Sequence, residues 1–252
     1  MRVQDFGRVA DIYDATRSLP EGEMRSLLDA LGSAIPGRGP VVDVGVGTGR
    51  FAMPLQERGF EVVGLDVSKG MMAKAREKGV EQLIFADVHR VPFRDGVFES
   101  ALLVHILHLV SDWTAVVREA ARVSRGTVLS VIEVSEGKSL REEYREMRVE
   151  LGYPLERFER GERGLQGRVP PDSVIPVVEA DREAAADDEI RHLEERGQSL
   201  TWDVPEDVHK KIIGELLARY GGTTLNSRSK IEVAIWSASR LRQEEFKSDQ
   251  KG

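Results

Sequence analysis

Apolar and polar positions change period along the chain, and the changes mark out most of its elements. Positions 1–34 follow a helical spacing interrupted at Pro20, with Val9, Ile12 and Tyr13 before it and Leu27, Leu28 and Leu31 after it. From 41 to 132 short apolar runs alternate with amphipathic stretches. Strands are predicted over 41–44, 61–65, 82–86, 98–104 and 127–132, and helices over 50–58, 69–78 and 113–123. Past Glu133 the pattern loosens. A charged helix is predicted over 139–151, then a glycine- and arginine-rich stretch, 152–172, with no clear period and the character of a mobile loop. A strand over 174–179, helices over 184–196 and 205–220, and a strand over 230–237 follow. In that last strand Ile231, Val233 and Ile235 alternate with Glu232, Ala234 and Trp236. The polar tail reads as frayed.

Buried runs separated by amphipathic helices require a mostly parallel sheet covered on both faces. The fold class is therefore α/β: a Rossmann-like, seven-stranded, mostly parallel sheet with helices on both faces. In domain terms, 1–36 is an N-terminal helical cap, and the core comprises 37–136 and 173–240. A helical lid is inserted at about 180–228, 137–172 holds the charged helix and loop, and 241–252 is the tail.

Composition narrows the choices further. The chain has 252 residues, 40% of them hydrophobic, which is enough to bury a substantial core. Its formal net charge of -7 gives no general attraction to phosphate backbones or anionic lipid, so neither nucleic acid nor a membrane is an expected partner. There is no cysteine, which excludes disulfides, thiolate zinc sites and cysteine nucleophiles. Nothing else demands a metal: the acidic run Asp187, Asp188 and Glu189 with His192 reads as a solvated helix face. No apolar stretch approaches a signal peptide or a membrane span, and a cytoplasmic location is expected.

The chemistry concentrates in VVDVGVGTGRF (41–51), where a strand carrying Asp43 runs into Gly45, Gly47 and Gly49. Glycines after a strand allow a tight turn and close approach of a ligand to the backbone. A dinucleotide fingerprint needs a sixth-position glycine, and counting from Gly45 that position is Arg50. Asp43 would repel a pyrophosphate but suits a cationic amino-acid ligand. Strand two ends on Asp66, which can accept from ribose hydroxyls of either a nicotinamide dinucleotide or an adenosyl amino acid. Strand three ends on Asp87, placed to accept from an adenine amine with Val88 packed on the ring. Any one acid after a strand can instead cap a helix; three graded along successive strand ends point to a ligand.

Together with VVGLDVSKGMMAKA (62–75), FADVHRVPFRDGVFESALLVHILHLVSDW (85–113) and VVREAARVSRGTVLSVIE (116–133), this run resembles the class I S-adenosylmethionine-dependent methyltransferases. The likeness is to the small-molecule group that includes quinone-biosynthesis C-methyltransferases. It implies S-adenosyl-L-methionine as cofactor, with Asp43, Gly45, Gly47 and Gly49 around its methionine part and Asp66 at the ribose. Asp87 and Val88 would then meet the adenine, and Val67, Met71 and Val104 would also line the cofactor site. Val46 stands where members often have cysteine or serine, and Ser124-Arg125-Gly126 replaces a longer turn before strand five. The N-terminal stretch with Tyr13 and Arg17 resembles a cap that closes over the cofactor, and the segment around Trp202 resembles a lid.

Methyl transfer is an in-line displacement that mainly requires alignment and exclusion of water. A base matters only where the acceptor must lose a proton, and His105 and His108, after strand four, are the candidates. Either histidine can equally serve to hold the loop by hydrogen bonds. Tyr13, Arg17, His105 and Trp202 are the expected acceptor-side residues, for a small-molecule methyl acceptor; the oligomeric state is not legible. A binding protein that senses the cofactor without turnover, and a methyltransferase for RNA or protein, are the alternative readings.

Overall fold

A computed structural model describes residues 14, 19–137, 139–154, 161–244 and 246. Its first elements are α1 (Glu21–Ala34), β1 (Val41–Val44), α2 (Ala52–Glu57), β2 (Val62–Asp66), α3 (Lys69–Glu77), β3 (Gln82–Phe85), β4 (Phe98–Leu103) and α4 (Trp113–Val123). Then come β5 (Ser124–Gly137), α5 (Leu140–Glu150), α6 (Gly161–Arg168), β6 (Ser173–Ala185), α7 (Ala186–Glu194), α8 (Glu206–Tyr220), β7 (Thr224–Ser237) and α9 (Ala238–Gln243). The seven strands form one sheet in the order β3-β2-β1-β4-β5-β7-β6. Pairs β1–β2, β2–β3, β1–β4 and β4–β5 are parallel.

The order explains where a ligand can sit. From β1 the chain moves outward through β2 to β3, then returns to lay β4 on the other side of β1. Loops leaving β1 and β4 therefore diverge, and a crevice opens at the carboxyl ends of the strands. Register brings Asp43 opposite both Gly64 and Leu102, and Asp66 opposite Phe85.

The sheet is held by apolar runs covered on both faces. All of β1 is buried, and in β4 only Glu99 is partly exposed. Helix α4 starts on Asp112, whose carboxylate accepts from the Ala115 N–H at 3.0 Å, and buries Trp113, Val116, Val117, Ala120, Ala121 and Val123. Residues 231–236 of β7 are covered on both faces. Ile231 and Val233 are buried, and so are Ala234 and Trp236, whose indole N–H donates to the Val169 carbonyl at 2.7 Å.

Two sequence expectations need correction. The stretch 152–172, read as a loop, contains α6; its glycines 161, 164 and 167 hid the helical period. Phe246, in the stretch read as a frayed tail, is buried, its ring edge-on to Trp113 at 6.1 Å with the Arg118 guanidinium over it. A hydrophobic anchor, not local propensity, orders that position.

The chain divides into two compact units. One comprises Met1–Ile132, Phe158–Val177 and Ile231–Gly252, the other Glu133–Arg157 and Val178–Lys230. Helix α6 thus groups with the glycine-loop unit and not with the charged helix α5, with which the sequence reading had placed it.

The second unit has a core of its own, built by Leu140, Tyr144, Ile190, Leu193, Ile212 and Leu216 from α5, α7 and α8. Arg148 of α5 is fully buried. Its guanidinium donates to the Tyr153 carbonyl at 2.6 Å, the Leu200 carbonyl at 2.5 Å and Asp203 Oδ2 at 2.9 Å. Those bonds tie the 199–203 segment to α5. The Tyr144 hydroxyl meets His209 Nδ1 at 2.7 Å in the same interior. Arg148→Ala leaves buried carbonyls without donors and opens a cavity, so it should destabilise the chain by roughly 3 kcal/mol. A lowered urea midpoint checks this.

Candidate functional site

After β1 the chain turns through Gly45, Gly47 and Gly49 at φ of 82°, 54° and 74°, a left-handed run that favours glycine. Gly45 is constrained twice, because a Cβ there would lie 2.7 Å from Ile106 Cδ1. The loop after β4 therefore presses directly on the glycine loop. Val46 turns inward over Gly64, where a Cβ would stand 2.7 Å from Val46 Cγ2. The missing side chain on β2 makes room for Val46.

Asp66 ties this loop to the next. Its Oδ2 accepts the Gly47 N–H at 2.9 Å and its Oδ1 the Ser68 N–H at 2.7 Å. Ser68 in turn caps α3 by accepting from the Met71 N–H at 3.4 Å. Burial pushes the Asp66 pKa above the ordinary carboxylate value, and the N–H groups of Ser68, Gly47 and Val67 pull against that shift. A carboxylate offers about four acceptor positions, so capacity remains for an outside donor.

Asp43 is buried, only 3% exposed. Burial first and the Asp66 charge second push its pKa up to about 7. Among the described residues no cation offsets these effects. A buried carboxyl without a counter-charge fits a ligand that brings an ammonium group.

Asp87 lies outside the sheet, half-exposed. Its Oδ1 accepts both the His89 N–H at 2.9 Å and the ring Nδ1–H at 2.7 Å. Burial opposes ionisation here, but the His89 bonds prevail and hold the carboxyl below its ordinary value. His89 Nε2 is buried without a hydrogen-bond partner among the described residues. Sequence reasoning missed His89, although the Asp-x-His spacing was available to it. Val88, Met71 and Val104 are buried and Val67 half-buried, at the ends of β3, β2 and β4 and in the first turn of α3.

The structure also adds a contact from the N-terminal stretch. Thr48 Oγ1 donates to Asp14 Oδ1 at 2.6 Å, and the Lys78 ammonium pairs with the same carboxylate. Tyr13 and Arg17 lie outside the described residues. Trp202 belongs to the second unit, where its indole N–H donates to the Arg196 carbonyl at 2.8 Å.

At the end of β4, His105 adopts a left-handed φ of 55°, uncommon for a residue with a side chain. The His105 and His108 rings stand 6.5 Å apart at 75°. Glu162, at the start of α6, reaches this loop: its Oε1 accepts the Leu107 N–H at 3.0 Å and its Oε2 faces His108 Nδ1 at 3.2 Å. Nothing in the sequence marked Glu162, because it sits in the unperiodic GERGLQGR run. Among the described residues no cluster of histidine and acidic side chains could hold a metal ion. In the acidic run of α7, Asp187 instead accepts from the Gly222 N–H at 3.1 Å and Asp188 pairs with Arg191. No described helix is long and apolar enough to cross a membrane.

Residues 42–130 match the family model described as "Methyltransferase domain". A malonyl-[acyl-carrier protein] O-methyltransferase of Serratia marcescens is 33% identical over 121 residues, covering 48% of this chain and 47% of its own. A demethylmenaquinone methyltransferase of Beutenbergia cavernae is 37% identical over 137 residues, covering 52% and 56%. The chain thus spans about half the length of these curated relatives. Among solved structures, a methyltransferase from Thermotoga maritima, titled a possible histamine N-methyltransferase, superposes with a TM-score of 0.52. The two share 17% identity over 92% of this chain and 98% of that one, a likeness of fold. Residues 42–130 are thus similar to a methyltransferase domain, in keeping with the resemblance in the sequence.

The Asp43 shift has a measurable consequence. Its ordinary value is 3.8 and its folded value about 7, so between these the folded chain holds more protons than the unfolded chain. Stability contributed by this group is complete below the lower value and is lost as pH rises through the upper one. Asp43→Asn should raise the unfolding free energy at pH 8 by about 2 kcal/mol relative to the parent chain. That gain should disappear at pH 4, and urea unfolding at the two pH values measures both.

Proposed function

We propose that the chain is an S-adenosyl-L-methionine-dependent methyltransferase acting on a small-molecule acceptor, in the cytoplasm. The observation that carries the reading is Asp43: a buried carboxyl without counter-charge among the described residues, beside a glycine loop whose backbone is fixed by Asp66. The bound cofactor supplies an electrophilic methyl group on a sulfonium. Every other contribution belongs to the protein. Ionised Asp43 attracts the ammonium of the methionine part, and the turn through Gly45, Gly47 and Gly49 lets that part lie against the backbone. The outer lone pairs of Asp66 take the ribose hydroxyls. Asp87 Oδ2, left open because His89 occupies Oδ1, accepts from the adenine amine, with Val88, Val67, Met71 and Val104 as apolar walls.

The acceptor side belongs to the loop after β4, where His105 and His108 stand. Names of the curated relatives support methyl transfer more than any one acceptor, since one refers to a malonyl-[acyl-carrier protein] and another to demethylmenaquinone. An acidic chain without a general attraction for polymers of phosphate favours a small molecule.

Calorimetry tests the reading. S-adenosylmethionine and its demethylated product should bind, and NAD should not; the reverse result would remove the proposal. Asp66→Ala deletes charged acceptors for two ribose hydroxyls and should weaken cofactor binding by more than about 100-fold. Methyl incorporation from labelled cofactor into a metabolite extract then separates turnover from cofactor sensing.

A further inference from the structure

The Asp87 carboxylate is half-exposed, yet it is not free to turn. Its Oδ1 holds two hydrogen bonds from a single residue, the His89 backbone N–H at 2.9 Å and the ring Nδ1–H at 2.7 Å. Just before it, the Ala86 N–H donates to the Asp66 carbonyl at 3.1 Å. Just after it, the Arg90 N–H closes a turn on the Asp87 carbonyl at 2.9 Å. Beyond the turn, α4 takes hold. Glu119 Oε2 accepts the Val91 N–H at 2.8 Å, and Arg122 donates to the Val91 and Phe93 carbonyls at 2.9 and 2.8 Å. The backbone that carries His89 is thus held from both sides, and only its ring remains to be oriented.

Two features place the ring proton. A carboxylate only accepts, so Nδ1 must bring the proton to Asp87. Nε2 is buried and has no hydrogen-bond partner among the described residues, so a proton moved there would lack an acceptor. Both put the proton on Nδ1. At Asp87, burial opposes ionisation, and the two bonds from His89 overcome it. The result is an exposed carboxylate held ionised, with one oxygen occupied twice and the other turned outward.

We propose that His89 aims Asp87 Oδ2 at the exocyclic amine of the cofactor's adenine, and so makes the site select adenine over hypoxanthine. This rests on the cofactor reading above. His89 is a positioning residue, acting through Asp87. An exposed aspartate without such a partner exchanges among rotamers, and a ligand would have to stop that motion. Aimed and ionised, the carboxylate attracts an N–H and repels a carbonyl oxygen in the same place. Released from His89, it could turn away from the carbonyl of hypoxanthine or reach the N–H on the neighbouring ring nitrogen. Selectivity should therefore fall when His89 is lost, although the carboxylate remains.

Calorimetry with S-adenosylhomocysteine and S-inosylhomocysteine, which carry adenine and hypoxanthine, reads that selectivity. The parent chain should prefer the adenine compound by about 100-fold. His89→Ala should weaken the adenine compound about 10-fold without weakening the hypoxanthine compound, so the preference falls to about 10-fold or less. His89→Asn, whose Nδ2–H stands where the ring Nδ1–H stood, should restore it. Equal weakening of both compounds in His89→Ala marks a merely structural role and overturns the proposal. So does a parent chain that binds the two compounds alike. A reading that needs no variant comes from nitrogen-15 NMR of the parent histidines at pH 8. His89 should carry a proton on Nδ1, and a bare Nδ1 overturns the proposal. Asp87→Ala separates the possible failures. If it abolishes the preference while His89→Ala leaves it intact, His89 alone is misassigned. If Asp87→Ala itself leaves the preference intact, the adenine lies elsewhere, and the Asp87 assignment falls together with this proposal. A parent chain that binds neither compound defeats the cofactor reading and the proposal with it.

Discussion

The hydrogen bond from the Gly47 N–H to Asp66 Oδ2, 2.9 Å long, is the contact on which the carboxyl edge of the sheet depends. It spans 19 residues and joins the loop after β1 to the end of β2, while the other oxygen of Asp66 starts α3 through Ser68. One carboxylate thereby fixes the curvature of the glycine loop and the onset of the following helix. Its charge also reaches Asp43, reinforcing the burial that keeps that carboxyl protonated up to about pH 7. The protein's own hydrogen bonds fix the loop, and among the described residues no cation compensates the buried Asp43 beside it, an acid that a cationic ligand would relieve.

Much of this edge was legible in the sequence. β1 through β4 fall within a residue or two of the predicted runs; β1, β2 and β4 do so because buried parallel strands read as continuous apolar segments. Asp43, Asp66 and Asp87 were found because a strand end followed by glycine or a helix onset is a local signal. What stayed hidden depends on distant contacts. Glu162 becomes significant only when α6 docks on the loop after β4, through glycines that weaken its helical period. Phe246 looked like tail until Trp113 was placed beneath it. The second unit's buried Arg148 is similar: in sequence it is one charge among many on α5, and only the Tyr153, Leu200 and Asp203 acceptors show why it lies inside.

The two ends of the candidate site use acids in opposite electrostatic states. Asp43 is held protonated by burial and by its neighbour's charge, whereas Glu162, also buried, is held ionised by histidine. Environment and not residue type assigns the role. Beside the glycine loop no described cation compensates Asp43; in the loop after β4, Glu162 faces His108 and accepts the Leu107 N–H. His105, at φ 55° between them, marks where the backbone leaves β4 to bring Ile106 onto Gly45 and His108 onto Glu162. Such backbone strain is tolerated where surrounding contacts over-determine it.

The central claim is that Asp43 is the protonated, buried partner of a cationic ligand. Calorimetry of S-adenosylmethionine binding at pH 6, repeated in buffers of different ionisation enthalpy, counts the protons exchanged. With Asp43 titrating near 7, binding should release close to one proton from the parent chain and none from Asp43→Asn. Tight binding without proton release from the parent chain would contradict the account.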